Sequence, residues 1–142
     1  MKIIKKMYRF SLFYFVIGLA TGLFHHEVEY WTNFTGTSIL KYVHPHAIIL
    51  GGLMFFILPL FVKVFSVHKT KYFKWFFIVY NSGLIGSLFF MGFRGIVQLY
   101  ELPISSFLDH MVGGLAGISH VILTVGLFFL YKALQSSNKE IG

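Results

Sequence analysis

Residues 43–62 read VHPHAIILGGLMFFILPLFV, twenty residues without Lys, Arg, Asp or Glu. At a rise of 1.5 Å per residue, a helix of about this length crosses the roughly 30 Å hydrocarbon core of a bilayer. Three further stretches are similarly apolar, at about 10–26, 75–93 and 111–131. None alternates apolar and polar residues as the strand of a membrane barrel does. The sequence therefore predicts an all-α integral membrane four-helix bundle in a single domain, residues 1–142.

The composition supports the same fold class. Apolar residues make up 56% of the chain and charged residues only 12%, less than a soluble domain needs on its surface. The chain has no Cys, which excludes disulfides, zinc–thiolate sites, iron–sulfur clusters and thiol catalysis. The net charge of +7 does not by itself indicate nucleic acid, and we predict no such partner.

The basic residues lie mainly at one end of the predicted bundle, and only Lys41 and Arg94 lie at the other. The basic end contains Lys2, Lys5, Lys6, Arg9, Lys63, Lys69, Lys71, Lys74, Lys132 and Lys139. By the positive-inside rule this end is cytoplasmic, which predicts a plasma-membrane protein with both termini in the cytoplasm. The alternative, that the first span is a signal sequence, would leave an odd number of spans and break the charge alternation.

Small residues recur at the spacing of close helix contacts. Gly18 and Gly22 form such a pair in the first span, and Gly113 and Gly117 form another in the fourth. Small residues let backbones approach closely in lipid, where the hydrophobic effect does not drive helices together. We therefore expect both pairs to face neighbouring helices. The adjacent glycines at 51–52 are ambiguous, since they could clear space for a helix or for a flat cofactor.

Six of the seven histidines fall in the outer half of the bundle or at its outer boundary. His25 and His46 lie sixteen and seventeen residues outward from the basic residues that bound their spans, so we expect them at one level. His120 lies only twelve residues outward, which places it roughly 7 Å deeper than His46 at α-helical rise. The layer nearer the outer surface contains His44, Arg94 and His110.

Ionisable residues inside a bilayer usually face the protein interior and carry function. Imidazole binds iron, copper, zinc and nickel, and apolar walls rich in Phe without thiolates favour a porphyrin over a closed zinc site. We therefore predict haem b, with His46 as an axial ligand and either His25 or His120 as the second. Arg94 would pair with the propionates. The remaining candidate cofactor-binding residues are His44 and His110.

The number of histidines on the iron decides the function that this site would have. One histidine would leave a position open for a diatomic gas, which would suit gas sensing or handling. Two histidines would give a low-spin haem that is better suited to electron transfer with a redox partner. Whether the protein is an enzyme stays open.

Two other interpretations of the histidines stay open as well. The first is a non-haem protein that binds or transports copper. Its ligands would be His44 and His46 together with His25 or His110. The second is a structural accessory subunit, in which the histidines cap helices or bond to neighbouring ones. In that case His120 would bond a polar residue of the third span, namely Asn81, Ser82 or Ser87.

The stretch HPHAIILGGLMFFILPL, residues 44–60, resembles the histidine-bearing helices of haem–copper oxidase subunit I and of NnrS-type membrane haem proteins. The resemblance implies that His46 ligates haem iron and that His44 is a second ligand. Those oxidases have twelve spans in three arcs of four helices, with the histidine pair in the second helix of an arc. This chain has one arc's worth of spans, so the resemblance implies a homo-oligomer, namely a trimer, with haem in or between subunits. The whole chain is also similar to a family of small four-span bacterial membrane proteins of unknown function.

Overall fold

The computed structural model describes residues 2–138, with only the backbone of the last of these. Its four helices are α1 (Lys2–Thr32), α2 (Ile39–Phe65), α3 (Lys71–Leu99) and α4 (Ser106–Asn138). Nearly all of the described residues are helical and none of them is in a strand. The four helices are long and apolar enough to cross a membrane, which confirms the predicted all-α four-helix membrane protein. Lys139, used above to assign the orientation, lies outside the described residues.

Each helix is longer than the apolar span within it. The first span was predicted to end near residue 26, but α1 continues to Thr32. Its last turns carry polar contacts, such as the bond that Trp31 Nε1 donates to Glu27 Oε2 at 3.2 Å. A helix satisfies its own backbone groups, so it can continue past the hydrocarbon core into the polar headgroup region.

The helices pack in two close pairs, α1 with α2 and α3 with α4, and α2 and α3 meet in the middle. Gly83 of α3 faces the backbone of Leu123, and Gly126 of α4 faces the backbone of Tyr80, so a side chain at either glycine would separate these helices. The largest side chains with almost no exposed surface are aromatic and come from three helices: Tyr14, Phe55, Phe76 and Tyr80. This aromatic core fills the half of the bundle nearer the chain ends.

Both ends of the described chain lie at the same end of the bundle. The ammonium group of Lys6 lies 4.4 Å from the ring centroid of Phe77, near the start of α3. Trp75, also near the start of α3, stacks on Phe129 of α4 with centroids 6.4 Å apart. Two chain ends at one end of the bundle are what an even number of membrane crossings requires. Which side of the membrane this end faces stays a prediction.

The two glycine pairs expected to face neighbouring helices have different surroundings. Gly18 lies against Ile48 and the carbonyl oxygen of His44, and Gly22 lies against the ring of His44, so the expectation is confirmed for α1. For Gly117 the expectation is wrong as far as contacts within a single chain are concerned. No described residue outside its own helix lies within 4 Å of the Cβ position of Gly117. Gly113 faces a side chain instead of a helix backbone: its Cβ position lies 3.3 Å from Arg94 Nη1.

Helix α2 is not a uniform α-helix. It begins with a 3₁₀ turn at Ile39–Tyr42 and a short α-helical segment, Val43–Pro45. A π-helix then occupies His46–Leu53, and ordinary α-helix resumes at Met54–Phe65. π-Helical segments are rare and are found often at functional sites. This segment begins at the histidine that the sequence selects as the principal ligand.

Candidate metal centre

The structure brings His46 of α2 and His120 of α4 together. Their ring centroids are 5.8 Å apart, and the ring planes are nearly perpendicular, at 84°. Both side chains are half-buried, in the groove where α2 and α4 approach each other. Of the two partners considered for His46, His120 is therefore the one in contact with it.

Each of these imidazoles is oriented by a backbone carbonyl one turn earlier in its own helix. His46 Nδ1 lies 2.7 Å from the oxygen of Tyr42, and His120 Nδ1 lies 2.7 Å from the oxygen of Ala116. A carbonyl oxygen only accepts hydrogen bonds, so Nδ1 carries the proton and donates it in both residues. In the neutral rings Nε2 therefore has a free lone pair, and a bond from Nδ1–H to a carbonyl commonly orients a histidine that ligates a metal.

The spacing of the two rings suits two nitrogens on opposite sides of one metal ion. Metal–nitrogen bonds of roughly 2.0 Å, with each ring centroid about 1 Å beyond its nitrogen, put the centroids roughly 6 Å apart. The observed 5.8 Å is close to that value. In ring spacing, the pair would therefore fit two imidazoles that hold one metal ion between them.

The surface beside the pair is open and apolar. Gly117, one turn before His120 in α4, has no described residue outside its own helix within 4 Å of its Cβ position. Further along the same two helices lies an apolar cavity of about 310 Å³, whose lining includes Ile49, Leu53 and Leu130. The position beside His120 is therefore open, while the cavity lies deeper along the two helices and is not lined by either histidine.

The depth count did not anticipate this contact, because it assumed α-helical rise along all of α2. The π-helix holds more residues in each turn than an α-helix, so the same number of residues covers less distance along the axis. His46 therefore lies deeper than the count from Lys63 indicates. This removes part of the expected separation of roughly 7 Å between His46 and His120.

Arg94 is paired with a residue that the sequence analysis did not consider. Its Nε donates to Asp109 Oδ1 at 2.9 Å and its Nη2 to Asp109 Oδ2 at 3.0 Å, which makes a two-pronged ion pair between α3 and α4. The third guanidinium nitrogen, Nη1, lies over Gly113. Gly113 is seven residues, or two turns, before His120 on the same face of α4. One nitrogen of Arg94 therefore lies on the face of α4 that carries His120, two turns away from it.

His44 lies at the opposite interface, between α1 and α2, and His25 lies in α1, one turn after Gly22. His44 is two residues from His46 and so faces the other side of α2, where its ring packs on Gly22. His25 Nε2 lies 3.2 Å from Glu29 Oε1, but the two atoms are not aligned for a hydrogen bond, and Nε2 has no other partner among the described residues. The buried Nδ1 of His44 also has no hydrogen-bond partner among the described residues. The structure thus separates this pair from His46.

The remaining outer histidines lie at the surface. His110 is exposed near the start of α4, and its Nδ1 lies 2.6 Å from the oxygen of Ser106. His26 has 78% of its side chain exposed and lies 3.4 Å from Glu27. Within residues 2–138, no group of three or more His, Asp or Glu residues is close enough to hold a metal ion. The proposed copper ligands are therefore not gathered into one group in the described part of the chain.

The structure also identifies two hydroxyl groups that the sequence analysis missed. Ser11 Oγ donates to the carbonyl of Gly52, and Tyr80 Oη donates to the carbonyl of Leu50, both at 2.8 Å. Both acceptors belong to the π-helix. No local sequence signal marks these bonds, because each joins residues at least thirty positions apart.

The two ambiguous glycines of α2 make room for aromatic rings of α1, and these contacts leave no space there for a cofactor. A Cβ at Gly51 would overlap the ring of Tyr14, and one at Gly52 would lie 2.5 Å from the ring of Phe15. This interface is closed by direct contact between the two helices.

A family described as "Protein of unknown function (DUF2871)" has a model that matches residues 4–137, almost the whole chain. The chain belongs to this family. No curated protein and no solved structure matches the chain. The family match agrees with the expected small membrane protein of unknown function, and it does not extend to haem–copper oxidases or NnrS-type proteins.

Proposed function

We propose that this protein binds one haem b between α2 and α4, with Nε2 of His46 and Nε2 of His120 as axial ligands, and that it acts in electron transfer. The observation that carries the proposal is the pair of imidazoles 5.8 Å apart, each with its Nδ1 engaged by a carbonyl. When bound, a haem with two histidines supplies a low-spin iron that exchanges one electron.

The chemistry of the donor set favours haem over a bare metal ion. A porphyrin brings four equatorial nitrogens of its own, so the protein needs to supply only two ligands. A zinc ion takes three or four ligands from the protein, and the described residues contain no such group. Haem sensing or handling of a gas would require an open position on iron, which a second histidine fills.

The chain's own residues would perform three tasks at this site. The carbonyls of Tyr42 and Ala116 fix the orientation of the two imidazoles and keep the proton on Nδ1. The apolar side chains that line the deeper cavity between α2 and α4 would keep water from that side of the site. Arg94, held by Asp109, offers Nη1 to a propionate carboxylate at the outer end of the same face.

A spectrum of the protein tests this proposal. Protein made with excess haem supply and purified in mild detergent should show a Soret band and the sharp α-band of a low-spin b-type haem after dithionite reduction. His120→Ala should lose most of the haem or become high-spin. His110→Ala is the matched control, because His110 makes the same one-turn carbonyl bond but lies exposed near the start of α4. Colourless parent protein, or equal haem in both variants, would contradict the proposal.

We also infer that the protein lies in the plasma membrane with both termini in the cytoplasm. The support is the excess of Lys and Arg at the end of the bundle that holds both chain ends. A reporter that is active only outside the cytoplasm, fused after Lys139, should give no signal, and a strong signal would reverse the orientation.

The homo-oligomer, a trimer by the resemblance to the oxidases, is tested by cross-linking in intact membranes.

A further inference from the structure

The π-helix His46–Leu53 decides the direction in which His46 leaves α2. A residue in an α-helix turns about 100°, and one in the wider π-turn turns roughly 10–15° less, so eight residues accumulate roughly a right angle. If this segment were α-helical, His46 would point away from its present direction relative to Met54–Phe65. The contact with His120 therefore depends on the wider turn being kept.

Two side chains from neighbouring helices hydrogen-bond to this segment. Ser11 of α1 donates to Gly52 and Tyr80 of α3 donates to Leu50, each at 2.8 Å. Ser11 is 2% exposed and Tyr80 is fully buried, so water cannot replace either bond. Both acceptors lie in the last four residues of the π-helix, where the backbone returns to the α-helical pattern.

We propose that Tyr80 and Ser11 are positioning residues that keep α2 π-helical and thereby direct His46 toward His120. This inference rests on the proposed function only in naming the two histidines as iron ligands. It specifies which groups outside the site set the angle between the two imidazoles. The hydroxyls act on the backbone at Leu50 and Gly52, four to six residues from His46, and do not touch its ring.

The chain has no Cys, so the geometry can be measured without haem. The double variant His46→Cys and His120→Cys should cross-link within one chain when treated with a short bifunctional thiol reagent. Adding Tyr80→Phe or Ser11→Ala should lower the ratio of π-helical to α-helical conformers about five-fold each, as expected for the loss of one typical hydrogen bond, and should slow the initial rate of cross-linking. Tyr14→Phe is the matched control, because Tyr14 is equally buried but donates its hydroxyl to Asn81 Oδ1. It should leave the rate unchanged.

A second measurement uses the haem-loaded protein. With perpendicular imidazole planes, the oxidised low-spin iron should give a strongly anisotropic electron paramagnetic resonance signal. Tyr80→Phe should broaden or shift that signal, or add a high-spin component, while Tyr14→Phe should not. A loss of stability alone would lower the amount of protein and would leave the signal shape unchanged.

The outcomes separate the two proposals. If the cysteine pair fails to cross-link, or if Tyr80→Phe and Ser11→Ala behave like Tyr14→Phe, the positioning role is wrong. If cross-linking falls as expected but the parent protein binds no haem, the positioning role stands and the haem proposal fails. If Tyr80→Phe does not fold, Ser11→Ala, which removes a single oxygen atom, decides the question.

Discussion

The histidines on the two faces of α2 have different surroundings, although His44 and His46 are separated only by Pro45. On the α1 side, glycines bring the helices into contact, and the ring of His44 fills the space over Gly22. On the α4 side, His46 meets His120 beside an open glycine surface. The first face is in direct helix contact at Gly51 and Gly52, whereas the second carries two oriented imidazoles beside an open position.

The hydrogen bonds of the two histidines differ in the same way. His46 is oriented by a carbonyl and has a free Nε2, whereas His44 has a buried Nδ1 with no partner among the described residues. An oriented ring with a free nitrogen suits a metal ligand. A buried nitrogen without a partner costs free energy. The comparison therefore favours His46 over His44 as the ligand of the proposed site.

The largest expected effect on stability is at the closed face. Gly51→Leu would drive a side chain into the ring of Tyr14 and should destabilise the protein by about 3 kcal/mol or more, at the upper end of overpacking effects. Gly117→Leu should leave the thermal midpoint in detergent nearly unchanged, since no described residue lies near that position. Equal losses of thermal midpoint in the two variants would remove the distinction between the faces.

Gly117→Leu should instead act on the ligand. A leucine one turn before His120 would occupy the open surface beside the histidine pair and should lower the haem content several-fold. Gly92→Leu is the control, because Gly92 of α3 is also free of neighbours within 4 Å but carries no nearby histidine. Haem per folded chain, measured by the pyridine haemochrome method, distinguishes them. Normal haem content in Gly117→Leu would place the ligand elsewhere.

His44→Phe should raise the stability by about 1 kcal/mol, because an apolar ring of similar shape removes a buried polar atom without a partner. The analogous His46→Phe should not do so, since it also removes the hydrogen bond to Tyr42. Unfolding in a graded denaturing detergent measures both variants. A loss of stability in His44→Phe would mean that its ring nitrogen has a partner that the described residues do not reveal.

The smallest effect is expected at the outer ion pair. Arg94→Gln and Asp109→Asn should each cost about 1 kcal/mol or less, because roughly a third of each side chain is exposed to solvent. Their effects on haem should differ: Arg94→Gln removes the cation available to a propionate, whereas Asp109→Asn leaves Arg94 free to make that contact. The measurement is the rate at which each variant loses its haem to added apomyoglobin. A faster loss from Arg94→Gln, but not from Asp109→Asn, would support the contact between Arg94 and a propionate. Equal rates in both variants would show that Arg94 only joins α3 to α4.

The parts of the fold that depend on local hydropathy could be predicted from the sequence. Four apolar stretches bounded by charge gave the four helices, and the spacing of Gly18 and Gly22 gave a close helix contact. The π-helix could not be predicted, because its hydroxyl donors, Ser11 and Tyr80, are distant in sequence. A depth count at constant rise therefore separated His46 from His120.

The surroundings of Gly117 and the ion pair of Arg94 also could not be predicted from the sequence, for related reasons. Gly117 has the same spacing from Gly113 as Gly22 has from Gly18, but periodicity identifies a face of a helix without saying what covers it. Arg94 was assigned to a ligand from its level alone, because its partner Asp109 lies fifteen residues later in another helix and no local signal joins the two. Side chains at helix ends meet partners that only the tertiary structure specifies.

The most direct test compares two alanine variants on opposite faces of α2. Parent protein, His44→Ala and His46→Ala are purified in parallel with excess haem supply, and their oxidised and reduced absorption spectra are normalised to protein. We expect parent and His44→Ala to show the same low-spin b-type spectrum, with about one haem per chain. His46→Ala should lose that spectrum. Loss of haem in His44→Ala with an unaltered spectrum in His46→Ala would contradict the account.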